Sequence, residues 1–280
     1  VRRRPARPPA AAAQAPRAGR WIAAGVCTGA LLMLLWAAPA RWAAAAVERA
    51  SGGHLLLADA RGTVWQGSAV MVLTGGPGSR DASALPGRLD WRLAPRLRGG
   101  PGLALQAEHG CCLTRPLTVL LRPGIGRIAI ELPADDGWTG QWPSAWLVGL
   151  GTPWNTLQPG GVLRLRSQGL TLESVQGRWR VDGAAELALD QLSSRLSPLP
   201  ALGSYRLLLN ADPASPGSAT LTLTTTEGAL QLRGDGRWDA GGLRLRGEAR
   251  AAAPADEAAL GNLLNIIGRR QGARSVISIG

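Results

Sequence analysis

Two hydrophobic rhythms divide the chain. Residues 21–40 carry no charge and centre on Leu31, Leu32, Met33, Leu34 and Leu35, a continuous apolar run. At 1.5 Å of rise per residue, twenty residues match the hydrocarbon thickness of a bilayer. A helix satisfies its own backbone there, and Trp21 and Trp36 suit the two interfaces. Beyond this run the rhythm changes to period two. Leu103, Leu105 and Ala107 alternate with Ala104, Gln106 and Glu108, and Ile128, Ile130 and Leu132 alternate with Arg127, Ala129 and Glu131. The same beat recurs at Leu163 and Leu165, Leu187 and Leu189, Leu221 and Leu223, Leu230 and Leu232, and Leu243 and Leu245. Such alternation predicts half-buried strands, one face on a core and one in water.

Turn signals break these runs at short intervals: Gly75-Gly76-Pro77-Gly78, Pro159-Gly160-Gly161, Asp212-Pro213 and the glycines around residue 241. Closely spaced strands joined this way predict an antiparallel meander, not βαβ units. Outside the apolar run only two stretches read as helical. Residues 143–148 open with a proline suited to the first turn, and residues 256–267 place Leu260, Leu263, Leu264 and Ile267 on one face before Gly268. The expected fold class is mainly β: a single N-terminal transmembrane helix followed by an antiparallel β-sheet domain, a curved sheet or a sandwich, with one or two short helices. The expected divisions are a basic cytoplasmic tail at 1–20, a signal anchor at 21–40, a linker at 41–54 and a periplasmic β domain at 55–280.

Charge fixes the expected orientation. Residues 1–20 hold six arginines and no acid, whereas only Arg41 and Arg49 follow soon after the apolar run. The asymmetry keeps the N-terminus in the cytoplasm and sends the rest across the membrane. A cleaved leader ending at Ala38-Pro39-Ala40 is the competing reading; the run is long for a leader, and proline is ill placed for cleavage. Net charge is +12, but six of those charges sit in the tail and the rest are scattered arginines with no interleaved aromatics, so nucleic acid is not an expected partner.

Candidate chemistry is sparse. His54 and His109 lack the spacing of a metal site, and neither a nucleophile elbow nor a phosphate-binding loop occurs. Gly124-Ile125-Gly126-Arg127 imitates a dinucleotide fingerprint but leads into a strand, with no helix N-terminus for a pyrophosphate. Asp135-Asp136 reads as a solvated turn. Cys27 lies in the apolar run; Cys111 and Cys112 are neighbours, a pairing that carries strain, so no disulfide framework is expected. The expectation is no enzyme, no catalytic residue, no metal and no cofactor.

Tryptophan recurs between glycines, in Gly62-Thr63-Val64-Trp65-Gln66-Gly67, in Gly177-Arg178-Trp179-Arg180-Val181-Asp182-Gly183, and from Gly236 through Trp238 to Gly241. Each reads as a hairpin corner plugged by an indole. Together with Gly203-Ser204-Tyr205 and with Gly228, Leu230, Leu232 and Gly234, the first of these elements makes the chain resemble the type II secretion system protein N family of Gram-negative bacteria. The resemblance runs from about Leu55 to the end. It implies an inner-membrane accessory component of the general secretion pathway, acting by contact with the inner-membrane platform or the outer-membrane secretin. It brings no catalytic residues. Lipid handling by an open sheet with one apolar face is the alternative, and sugar contact through Trp138, Trp142, Trp146 and Trp154 a third reading.

Overall fold

The computed structural model describes residues 17–97, 100–239 and 241–280; most of the expected basic tail lies outside them. Helix α1 (Arg17–Trp36) belongs to one compact unit, ending at Ala38, and residues 39–280 form a second. Trp21, Leu31, Leu32, Leu34, Leu35 and Trp36 are all exposed on α1, which is long and apolar enough to cross a bilayer. The helix stops at Trp36, three residues before Pro39, whose ring disfavours helical backbone in the residue preceding it.

The stretch expected to be linker contains a helix. Helix α2 (Ala40–Ala50) takes up most of it, starting after the extended Pro39 and ending in a Gly52-Gly53 turn with positive φ at both glycines. Six alanines give this segment strong helix propensity, and their small size lets Ala40 and Ala43 pack closely with Ala69, Trp91 and Leu57.

Strands follow in chain order. The first series is β1 (Leu55–Gly62), β2 (Gln66–Thr74), β3 (Ala82–Ala84), β4 (Leu89–Arg96), β5 (Gly102–His109), β6 (Leu117–Gly124) and β7 (Arg127–Leu132). Next come β8 (Gly140–Pro143), a 3-10 turn (Ser144–Leu150), the single-turn helix α3 (Trp154–Leu157), β9 (Gly160–Ser167), β10 (Leu170–Val175), β11 (Arg178–Asp182) and β12 (Ala184–Ser193). The chain closes with β13 (Gly203–Ala211), β14 (Ala219–Glu227), β15 (Leu230–Asp239), β16 (Gly242–Ala251), helix α4 (Glu257–Ile267), β17 (Arg269–Gln271) and β18 (Arg274–Ile279).

The described strands form two antiparallel sheets. One has the order β1-β2-β4-β5-β6-β7-β10-β11 with β3 beside β2; the other runs β17-β18-β16-β15-β14-β13-β12-β9-β8. Register explains the alternation seen in the sequence. Leu103 faces Leu121, Leu121 faces Ile130, Ile130 faces Leu172 and Leu172 faces Val181, so one apolar row crosses five strands of the first sheet. In the second, Leu165, Leu187, Leu207 and Leu223 line up in the same way.

The sheets are continuous through one long bent hairpin. β9 passes into β10 across Gln168 and Gly169, and β11 passes into β12 across Gly183 alone. Their pairing carries on over the bend, with Thr171 opposite Asp182 on one side and Ser167 opposite Ala185 on the other. Gly183 has φ +84°, and a Cβ there would lie 1.7 Å from the Gly169 carbonyl oxygen, so only glycine fits. Ser167, fully buried, ties the bend: its Oγ donates to the Leu132 carbonyl at 2.8 Å and accepts from the Gly169 and Leu170 amides. The expected mainly β fold is thus present as two antiparallel sheets.

Helix α4 supplies the main core. Leu260, Leu263 and Leu264 pack on Leu202, Tyr205, Leu230 and Ala249, all fully or nearly buried. The 256–267 periodicity therefore marks a helix that caps the far part of the second sheet.

Candidate functional site: glycine–tryptophan turns and an exposed edge

The first motif forms the β1–β2 hairpin. Thr63 closes it: its amide donates to the Gln66 carbonyl at 2.8 Å, and its Oγ1 accepts from the Gln66 amide at 3.1 Å. Gly62 sits at φ +87°, and a Cβ on Gly67 would meet the Arg61 carbonyl and the Trp91 ring, each at 2.5 Å. Trp91 is buried across this turn and donates its indole N–H to the Val64 carbonyl at 3.1 Å, while the Trp65 carbonyl accepts from the Leu93 amide at 2.7 Å. The buried plug is Trp91, in the strand beside the motif; Trp65 itself is half-buried.

The later motif residues meet beneath α4. Tyr205 is buried and donates its hydroxyl to the Leu230 carbonyl at 3.0 Å; burial pushes its ionisation above the ordinary range. Gly203 and Gly228 cross so closely that a Cβ on Gly228 would lie 2.2 Å from the Gly203 Cα. Leu232 bonds through its amide and its carbonyl to Thr225 Oγ1, Gly234 lies against β16, and Trp238 stands between Ala219 and Leu243. These residues lie in the second sheet and its turns, and Tyr205 and Leu230 pack on α4.

Both clusters fall within residues 54–277, and over that whole stretch the sequence matches the family model of the type II secretion system (T2SS), protein N. The chain belongs to the type II secretion system protein N family. Comparison with curated proteins and with solved structures gave no match. The family is a secretion accessory component, and membership implies contact with other type II secretion components.

In this protein N chain the four tryptophans of residues 138–154 form no exposed platform. All four are half-buried. The Arg164 and Arg166 guanidinium groups lie over the Trp138 ring at 4.5 and 4.6 Å, and Trp146 donates its N–H to the Ser83 carbonyl at 3.0 Å. Arg164, Thr222 and Arg244 lie in β9, β14 and β16, each of which has a partner on both sides. β11 is an edge strand, as are β1, β8 and β17. It pairs with β10 on one side and makes only the isolated Val181–Gly217 bridge on the other among the described residues. Arg178, Trp179 and Arg180 are exposed along it, and a cleft between β11 and the turn containing Ser215, Pro216 and Gly217 is lined by Trp179 and Arg180. Sequence reading noticed Trp179 but not its edge position, because alternation records which face a residue takes and not which neighbour its strand has.

Two further features differ from expectation. Cys111 and Cys112 are joined as a disulfide, and the turn after β5 brings the His109 imidazole to them: one ligand atom from each of the three lies within 4.8 Å of the others. His109 is 3 % exposed, its Nδ1 receives the Cys111 amide at 3.4 Å and its Nε2 has no partner among the described residues. Burial lowers the imidazole's ionisation, against the opposing charge of Asp90. The spacing His-x-Cys-Cys escaped notice because it is too tight for the usual zinc patterns. By contrast Asp135, as expected, caps a turn: it accepts from the Gly137 amide and pairs with Arg115, and both hold its carboxyl below the ordinary 3.8.

Proposed function

We propose that the chain is an inner-membrane accessory component of the type II pathway that exports folded proteins across the outer membrane, and that it works by protein–protein contact. In this reading α1 anchors it once in the inner membrane, the N-terminus stays cytoplasmic and residues 39–280 stand in the periplasm. The observation that carries the proposal is the family match over 54–277, which takes in both sheets and the α4 cap. The contact surface is assigned to β11. Apart from the Val181–Gly217 bridge, its outer main-chain edge has no strand partner among the described residues, which suits β-augmentation, in which backbone hydrogen bonds supply affinity and side-chain pockets selectivity. Arg178, Trp179 and Arg180 supply the side chains, tryptophan and arginine being the residues that most often dominate protein interfaces.

The test is photocrosslinking in the native cell with probes at Arg178 and Trp179, and with Thr222 as the interior control. Adducts with the secretin or the inner-membrane platform from the β11 positions, absent from Thr222, are expected. Lipid adducts with no secretion protein would overturn this reading in favour of lipid handling along the half-buried Leu103–Leu121–Ile130–Leu172 row.

A further inference from the structure

We propose that His109, Cys111 and Cys112 form a site for a soft d10 cation, Cu(I), which opens when the Cys111–Cys112 bond is reduced. The three side chains already converge, with one donor atom from each inside a 4.8 Å span. The site is built and not incidental. His109 is held at the end of β5 by its pairing with Leu89, and its carbonyl accepts from the amides of both Cys112 and Leu113 at 3.1 Å. The ring is almost wholly buried, its Nδ1 is turned to the Cys111 amide at 3.4 Å, and among the described residues its Nε2 meets no hydrogen-bond partner, an unusual state for a buried polar atom.

The two sulfurs differ in access. Cys111 is exposed and Cys112 is 1 % exposed. An external dithiol therefore attacks at Cys111: its thiolate forms a bond to Cys111 Sγ, the Sγ–Sγ bond breaks, and Cys112 leaves as a thiolate that takes a proton. The second thiol of the reductant then displaces Cys111, which is protonated in turn, and the reductant departs as its own disulfide. Two electrons have passed to the protein, and two thiols stand beside one imidazole.

Two thiolates and a neutral nitrogen make a donor set for a soft metal. Three donors, with no fourth His, Cys, Asp or Glu in the group among the described residues, fall short of a closed four-coordinate zinc site and suit Cu(I), which three ligands satisfy. Binding releases the two thiol protons. The site lies between β5 and β6, in the first sheet, away from the β11 edge, so it does not rest on the docking surface proposed above.

The experiment uses the full chain in detergent with Cys27→Ser as background, which removes the only other thiol. Fully reduced protein is titrated anaerobically with Cu(I) against a chromogenic chelator. One Cu(I) per chain is expected, with none taken up by the oxidised protein. Cys111→Ser/Cys112→Ser should abolish uptake. His109→Gln should weaken it by about 100-fold or more, since loss of even an outer partner of a metal ligand costs 10–100-fold. Uptake that persists in the double serine variant, or that is equal with and without reductant, overturns the proposal, and so does zinc binding at the reduced site with no Cu(I) uptake. Far-ultraviolet circular dichroism separates a lost ligand from a lost fold: a folded His109→Gln protein with undiminished affinity would remove the imidazole from the site.

Discussion

The buried hydroxyl of Tyr205 reaches the Leu230 carbonyl at 3.0 Å, and the Leu230 side chain is itself buried there. Tyr205→Phe keeps the ring and strands the carbonyl acceptor, so a loss of about 1–3 kcal/mol is expected in urea unfolding. An unchanged midpoint would show that the ring alone does the packing. The tyrosine was visible in the sequence as part of Gly203-Ser204-Tyr205, but its partner, 25 residues away, was not. The same holds for Trp91 and Gly67. The glycine was noticed for its motif, yet the reason it must be glycine is an indole from another strand. Single residues carry their chemistry in their names; the neighbour that makes the chemistry matter is supplied by the fold.

At the level of elements, α4 and α2 make a useful contrast. In α4 the buried leucines recur at helical spacing, and that stripe is legible without coordinates. Leu263→Ala should cost about 2–5 kcal/mol, because the cavity opens in the buried α4 core, while Asn265→Ala on the exposed face should change stability by less than about 0.5 kcal/mol. Thermal melts of the two variants check this, and equal losses would contradict the assigned face. Helix α2 has no such stripe. It packs through alanines, which a hydrophobic pattern scarcely registers, so its docking on β1 and β2 could be learned only from the structure. The strands fall between these cases. All seven alternating runs lie in strands, whereas the division of those strands between two sheets left no trace in the pattern. Alternation fixes a face and says nothing of order.

Across the whole molecule, arginine–carboxylate pairs lace the sheet surfaces, and three carboxyls sit below their ordinary value of 3.8. Asp59 is held down chiefly by its bond from Arg61 and then by Arg88; Asp135 and Asp239 are held down first by the amides of Gly137 and Gly241, then by Arg115 and Arg244. A carboxyl with a lowered folded value stabilises the protein above its unfolded value, and that contribution disappears as pH falls through the folded one. The Tm should therefore be level from neutral pH to about pH 5 and decline below about pH 4. Asp135→Asn should flatten part of that decline, and a Tm that holds steady down to about pH 3 would show that these pairs add nothing.

The bent hairpin at residues 160–193 also sets an order in time. β8 and β9 of the second sheet precede β10 and β11 of the first along the chain. A growing polypeptide therefore cannot finish its first sheet before it has begun its second. Any chain that stops short of Asp182 leaves the flank of β7 or β10 bare, open to pairing with whatever strand arrives next.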